Sequence, residues 1–210
     1  MSITDIFSFA GVAFSVLFPL INPIGGVPAF SGLTANDTAE FRKSQARKTA
    51  INVFIILITF LLIVELLLEL FGISLGVLEI AGGLIVANTG WKMVNSKADD
   101  EHSDTTKGAN VDISFMPMAM PILSGPGAIG AVIGLSINAK EIEDYIGFVL
   151  GILLIGIVVY LFLLLSLPLM KKLGSKGINV LTRMMGFFIL AIAVNLVFEG
   201  IMALIKSHQL

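Results

Sequence analysis

The sequence predicts an all-α membrane protein with six transmembrane helices, arranged as two inverted three-helix repeats whose first and fourth helices are broken. Three observations lead to this fold class. The chain of 210 residues is 56% hydrophobic and only 13% charged, whereas soluble domains carry roughly 25% charged residues. The charges lie in short clusters between apolar runs of the roughly 20 residues that a bilayer span requires. Proline and glycine interrupt two of these runs at related positions.

The apolar runs divide the chain into two units. The first unit, 1–95, holds three runs, a polar loop follows at 96–111, and the second unit, 112–210, holds three more. The second and fifth runs are continuous and rich in Ile, Leu and Val, which is typical of lipid-facing helices. The predicted spans are 6–33, 46–70, 73–95, 112–138, 145–170 and 177–205.

Lysine and arginine predict the orientation of the spans. With the N-terminus outside, ten Lys and Arg residues lie in inner loops and two, Lys140 and Lys206, lie in outer ones. Cytoplasmic loops are enriched in these residues, so we expect both termini outside. The loop 96–111 is charged and poor in apolar residues, so we expect it to be a mobile cytoplasmic loop.

The two interrupted runs are similar to each other. Residues 19–29 (PLINPIGGVPA) align with 121–131 (PILSGPGAIGA) at an offset of 102, and 78–87 align with 182–191 at an offset of 104. Because three spans are an odd number, the second unit enters the membrane from the opposite side. Inverted repeats with broken helices at equivalent positions are typical of secondary transporters, whose substrate binds between half-helix ends near the midplane.

Each break predicts the start of a half-helix. Asn and Ser are preferred N-caps and proline suits the first turn, so Asn22-Pro23 is predicted to start one half-helix and Ser124-Gly125-Pro126 another, one residue later. Free N–H groups at a helix N-terminus bind carboxylates, and glycine lets a ligand approach the backbone. We therefore expect a small polar cavity suited to a zwitterionic amino acid. The predicted substrate-binding residues are Asn22, Pro23, Ile24, Gly25, Gly26, Ser124, Gly125, Pro126, Gly127 and Asn195.

Polar residues within the spans are candidates for ion coupling or substrate contact. Glu65 is the deepest carboxylate of the second span, Thr89 lies in the third, and Arg183 lies near the inner end of the sixth. The alternatives are a carboxylate in an outer vestibule, a structural hydrogen bond and a lipid-headgroup contact, respectively. Asn195 lies deeper in the last span than Glu199 and is the candidate substrate contact there, against the alternative of a hydrogen bond between helices.

Composition excludes several kinds of site. The chain has no cysteine, which excludes disulfides and thiolate chemistry. His102 and His208 lie in polar or terminal segments without a metal-ligand neighbour, so neither a metal nor a cofactor is expected, apart from a coupling H⁺ or Na⁺. A net charge of −2 gives no indication of a nucleic-acid partner. An enzyme is not expected, since no span contains a nucleophile–base pair with Cys or His.

Four segments resemble those of the MarC family, which includes the SnatA-type transporters of small neutral amino acids: PLINPIGGVPAF, LEIAGGLIVA, MPMAMPILSGPGAI and LTRMMGFFILAIAV. The resemblance covers nearly the whole chain. It implies transport of glycine, alanine or similar amino acids across a prokaryotic inner membrane, coupled to protons or sodium. One position departs from the family pattern, because Glu79 stands where relatives usually have Arg, whereas Arg183 keeps an Arg.

Other functions are compatible with parts of this pattern. A LysE-type exporter of amino acids or another small solute also carries a Pro-Gly-rich element, and the sequence does not distinguish uptake from export. A channel can line its pore with broken helices, but the sequence has no ring of repeated charged or carbonyl-rich residues. The expected partners are a small neutral amino acid and membrane lipids, and the oligomeric state is left open.

Overall fold

A computed structural model describes residues 3–72, 74–95, 110–139 and 141–208, which form helices joined by short connections. The predicted polar loop 96–111 lies outside the described residues except for its last two positions. The side chain of Glu65 is also outside the description, so the predicted coupling role of Glu65 stays a prediction.

Seven α-helices and one π-helical segment make up the described part of the chain. The π-helical segment contains extended backbone at Met116 and Met120. The last helix is interrupted at Gly174, whose φ of 62° is a conformation that favours glycine. The elements are α1 (Ile3–Ile21), α2 (Pro23–Leu33), α3 (Ala39–Phe71), α4 (Leu75–Asn95), the π-helical segment (Ser114–Leu123), α5 (Pro126–Asn138), α6 (Ile142–Leu164) and α7 (Ser166–His208).

The described helices give up to five candidate membrane spans, whereas the sequence predicted six. Parts of α3 and α7 and the whole of α6 are each long and apolar enough to cross a bilayer. Two bent pairs add one span each: α1 and α2 meet at 45°, and the π-helical segment and α5 meet at 68°. The predicted breaks in the first and fourth spans are therefore present. The helix α4 is not among the candidates, because Glu79, Asn88 and Lys92 lower its mean hydropathy.

Two predicted boundaries are wrong. The helix α3 begins at Ala39 rather than at 46, and the fifth span ends at Leu164 rather than at 170, with a new helix starting at Ser166. In both places a cluster of Lys or Arg lies within a helix, which is α3 in the first case and α7 in the second. Lysine and arginine are good helix formers, so such a cluster does not by itself end a helix.

Glycines bring α4 and α7 into backbone contact, and these two helices form the most extensive pair of the fold. A Cβ added to Gly76 would lie 2.6 Å from the carbonyl oxygen of Gly200, and one added to Gly200 would lie 2.6 Å from that of Gly76. Further along, a Cβ on Gly90 would lie 2.9 Å from the oxygen of Gly186. Small residues allow such close approach between membrane helices, so the two helices run antiparallel along a glycine seam.

The other helices pack in matched pairs. The helix α1 packs on α6, as the π-helical segment packs on α3. Likewise α2 packs on α7 and α6, as α5 packs on α4 and α3. Large apolar side chains at the centre of these contacts, such as Leu17, Phe30, Leu57 and Met118, are wholly buried. In lipid such packing stabilises mainly through van der Waals contact.

Candidate functional site

The two breaks meet inside the protein. A Cβ added to Gly26, in the first turn of α2, would lie 3.0 Å from Cδ2 of Leu123 at the end of the π-helical segment. A Cβ added to Gly127, in the first turn of α5, would lie 3.7 Å from Cδ2 of Leu20 near the end of α1. Each half-helix therefore starts against the element that precedes the opposite break. We call this region, from Leu20 to Gly26 and from Leu123 to Gly127, the crossing.

Asn22 forms the first break in the way that the sequence predicted. Its backbone is left-handed, with φ 45° and ψ 63°, and its side-chain Oδ1 accepts a hydrogen bond from the N–H of Gly25 at 3.1 Å. Asparagine is one of the few residues other than glycine that adopt this conformation. Pro23 then occupies the first position of α2. Asn22 thus ends α1, caps α2 and sets the bend between them.

The second break is built differently, and the prediction that Ser124 caps the following half-helix is wrong. The N-cap of α5 is Gly125, in extended conformation, and no side chain among the described residues caps this helix. The one-residue insertion relative to the first break moves Ser124 out of the cap position. Its N–H donates to the carbonyl of Ala119 at 2.7 Å. Its hydroxyl is buried and has no hydrogen-bond partner in the described part of the chain.

The crossing is suited to bind a carboxylate. The first N–H groups of a helix have no acceptor within the helix, and in α5 these belong to Gly127 and Ala128, both buried. Each helix N-terminus carries roughly half a positive charge, and α2 and α5 both begin here. The Ser124 hydroxyl is a further donor, and leaving it unpaired costs about 1–3 kcal/mol. A carboxylate oxygen would satisfy these donors together.

Thr89 lies beside the second break. Its Oγ1 donates to the carbonyl of Ile85 at 3.0 Å. The same oxygen would lie 3.2 Å from a Cβ placed on Gly127. The helix α4 therefore brings a hydroxyl to the start of α5.

Asn195 lies elsewhere in the fold. It is exposed, and its Nδ2 donates to Oε1 of Glu199 at 2.7 Å on the same helix. Both side chains line a cleft of about 520 Å³ between α1, α5, α6 and α7, which none of the predicted residues at the breaks lines. Arg183 is exposed on α7. The structure thus groups Asn22 to Gly26, Ser124 to Gly127 and Thr89, and it places Asn195 in a separate cleft.

Two buried polar residues of α3 were missed by the sequence analysis. Gln45 and Thr49 are wholly buried, although they lie within or directly after a cluster of Lys and Arg. A signal was present, because Gln45, Lys48, Thr49 and Asn52 recur at the spacing of one helix face. Glu79 of α4 is also buried.

Comparison with known proteins gives one family. A family model described as "MarC family integral membrane protein" matches residues 7–205. The UPF0056 membrane protein YvbG of Bacillus subtilis is 37% identical over 202 residues, covering 93% of this chain and 95% of that protein. The UPF0056 membrane protein MJ1677 of Methanocaldococcus jannaschii is 38% identical over 193 residues, covering 90% and 94%. The UPF0056 inner membrane protein MarC of Escherichia coli is 31% identical over 219 residues, covering 98% and 99%. No solved structure matches significantly.

Proposed function

Because the chain belongs to the MarC family of integral membrane proteins, we propose that it is a secondary transporter of small neutral amino acids such as glycine and alanine, driven by a proton or sodium gradient. The observation that carries this proposal is the crossing, where two half-helices begin beside the unpartnered hydroxyl of Ser124. The relative in Escherichia coli is named an inner membrane protein, which supports the same location for this chain.

The chemistry of the crossing fits a zwitterion. The N–H groups of α5 and the Ser124 hydroxyl would hold the carboxylate. The last carbonyl groups of α1 and of the π-helical segment have no N–H donor within their own helices. They would accept hydrogen bonds from the ammonium group. Leu20 and Leu123 lie against the first turns of the half-helices. A solute held here would meet these apolar side chains, which favours a small neutral side chain over a large or charged one.

The same proposal includes two inverted repeats of three spans, with α4 as the third span and both termini outside. The matched helix pairs support it, because the contacts of α1 with α6 and of α2 with α7 and α6 have counterparts in those of the π-helical segment with α3 and of α5 with α4 and α3. A helix such as α4, with polar residues and a glycine seam against α7, can cross a bilayer when protein surrounds its polar positions. Inverted repeats of this kind permit alternating access around a fixed central site.

Uptake by purified protein in liposomes tests the proposal. We expect radiolabelled glycine and alanine to accumulate when a proton or a sodium gradient is imposed, and to leak out when the gradient is dissipated. The ion whose gradient drives accumulation is the coupling ion. Absence of binding and flux under every gradient, from folded protein, would exclude this function. Flux that occurs only outwards from preloaded liposomes would favour a LysE-type exporter.

Two serine variants connect the uptake to the crossing. Ser124→Ala removes the buried hydroxyl, whereas Ser8→Ala removes an exposed hydroxyl on α1. We expect uptake to fall about tenfold in the first variant, which is the loss of a hydrogen bond of about 1.4 kcal/mol, and to be unchanged in the second. Equal uptake in both variants would show that transport does not depend on the Ser124 hydroxyl at the crossing.

A further inference from the structure

The helix α3 presents a polar face to the chain that leads into the π-helical segment. Gln45, Lys48, Thr49 and Asn52 are spaced so that they lie on one side of the helix. Three side chains of this face bond to the three residues 112–114. The bonds are Gln45 Oε1 accepting from Ile113 N–H at 3.0 Å, Lys48 Nζ to Asp112 Oδ2 at 2.8 Å, and Asn52 Nδ2 donating to Ser114 Oγ at 3.3 Å.

Two donors on this face have no acceptor. Gln45 Nε2 and Thr49 Oγ1 are buried and lack a hydrogen-bond partner in the residues that the structure describes. Three other threonines behave differently, because Thr34, Thr59 and Thr89 each donate to the carbonyl one turn back, at 2.7, 2.8 and 3.0 Å. A buried donor without an acceptor is costly. Thr49 and Gln45 therefore point to an acceptor that the polypeptide does not supply.

The corresponding contact in the other half of the chain leaves no room for solvent. There α6 packs on α1 through Gly147 and Gly151. A Cβ on Gly147 would lie 2.9 Å from the oxygen of Ile6, and one on Gly151 would lie 2.7 Å from the oxygen of Ala10. One half is thus closed by backbone contact, whereas the half that contains Lys48 is held by side-chain hydrogen bonds.

We propose that Gln45 and Thr49 line a hydrated site between the Lys48–Asp112 pair and the crossing, and that this site takes a hydrogen-bond acceptor. The acceptor is either water or a carboxylate oxygen of the transported solute, and only the second case rests on the proposed function. The Lys48 and Asp112 side chains are about half exposed, so they mark the entrance. Among the described residues, five buried side-chain atoms lack a hydrogen-bond partner, and two of the five lie on this face of α3; the five belong to Ser31, Gln45, Thr49, Ser124 and Ser166.

The natural absence of cysteine allows a direct test by thiol labelling in membrane vesicles. We compare Thr49→Cys and Gln45→Cys with Ile155→Cys, which replaces a wholly buried apolar residue of α6. A charged methanethiosulfonate reagent reacts with a hydrated thiolate and not with a thiol in apolar surroundings. The reagent is added to vesicles of either orientation, so that the Lys48 side is exposed in one of them.

We expect Thr49→Cys and Gln45→Cys to react at least tenfold faster than Ile155→Cys, from the Lys48 side alone. Labelling of both variants at the rate of Ile155→Cys would overturn the hydrated site, whatever the protein transports. Labelling is then repeated in glycine and in sucrose of equal osmolarity. Protection by glycine alone supports a site for the solute carboxylate. If labelling is fast and glycine gives no protection, although the protein without the cysteine takes up glycine, then the solute carboxylate is not the acceptor. Water is then the acceptor.

Discussion

At the scale of single residues, the two breaks use opposite solutions to the same problem. Asn22 satisfies the start of α2 with its own side chain and bends the chain through a left-handed backbone. Ser124 does neither, and its buried hydroxyl is without an acceptor in the described structure. Substitutions at Asn22 should therefore lower stability, whereas Ser124→Ala should not.

For Asn22 we expect a conformational effect. Asn22→Ala loses a cap contributing about 1 kcal/mol and forces alanine into a left-handed conformation, at about 1–2 kcal/mol. Asn22→Gly loses the side-chain bond but adopts the conformation freely. Thermal unfolding in detergent should rank the wild-type protein above Asn22→Gly and Asn22→Ala lowest, with uptake reduced in both. Equal unfolding temperatures for the two variants would show that the left-handed backbone does not matter.

For Ser124 we expect no loss of stability. Removing a hydroxyl that has no partner among the described residues also removes its desolvation cost of about 1–3 kcal/mol. Ser124→Ala should therefore unfold at the same temperature as the wild-type protein or higher, while its uptake falls. A variant that is destabilised and transports normally would contradict both parts of this expectation.

Asp112 provides a test with pH. It precedes the candidate span that begins at Ser114, and hydrogen bonds from Lys48 and then from Ser114 hold the pKa of Asp112 well below its usual range. A carboxyl group whose pKa is lowered in the folded state stabilises the folded protein at pH values above its unfolded pKa of about 3.9. This contribution is lost as the pH falls from there through the folded pKa.

The stability difference between the wild-type protein and Asp112→Asn should consequently stay constant from pH 7 to about pH 5 and shrink below about pH 4. Asp5→Asn, at an exposed position of α1, serves as the control and should show no such trend. Unfolding temperatures of the three proteins, measured across this range, decide the matter. A difference that grows on acidification would contradict the assigned hydrogen bonds.

At the scale of elements, the glycine seam between α4 and α7 makes a sharp comparison possible. A Cβ at Gly200 would lie 2.6 Å from the backbone oxygen of Gly76, whereas one at Gly82 would lie 3.7 Å from the nearest atom, the oxygen of Gly130. We expect Gly200→Ala to lower the free energy of unfolding by about 1–3 kcal/mol and Gly82→Ala to be tolerated. Chemical unfolding in micelles measures both, and equal effects would mean that the seam is looser than described.

The sequence predicted where helices lie and break better than how they begin. Apolar runs and the Pro-Gly clusters placed both breaks, since proline and glycine act locally. The cap of α5 was missed because Ser124 and Gly125 are adjacent, and residue preferences do not resolve which of the two occupies the cap position. The extended backbone at Met116 and Met120 was not foreseen either, because Met is apolar whether the chain is helical or extended.

Burial was the least predictable property. In a soluble protein the apolar face of a helix indicates the core, but in lipid many apolar side chains are exposed and some polar ones are buried. Gln45 and Thr49 lie within or directly after a cluster of Lys and Arg, yet the structure buries them. Asn195, a predicted substrate contact, is exposed and lines a cleft apart from the crossing, so its predicted role stays a prediction.

At the scale of the whole molecule, reporter fusions test the number of spans. If α4 crosses the membrane, six spans place both termini outside and the loop 96–111 inside. Alkaline phosphatase fused after Leu210 should then be active and a green fluorescent protein fused there should be dark. Fusions within the loop should give the opposite pattern and serve as the control. A fluorescent C-terminal fusion would favour an odd number of spans.

The contact between α4 and α7 also limits how this protein can move. Helices that are separated by side chains slide past one another by small rotamer changes, but backbones in direct contact at Gly76, Gly90 and their partners have no such layer. The helix α4 also packs on α5, and α7 packs on α2, so each half-helix contacts one helix of this pair. If α4 and α7 stay together, a motion that opens the centre to one side and then the other would have to shift the contacts of α5 with α3 and of α2 with α6.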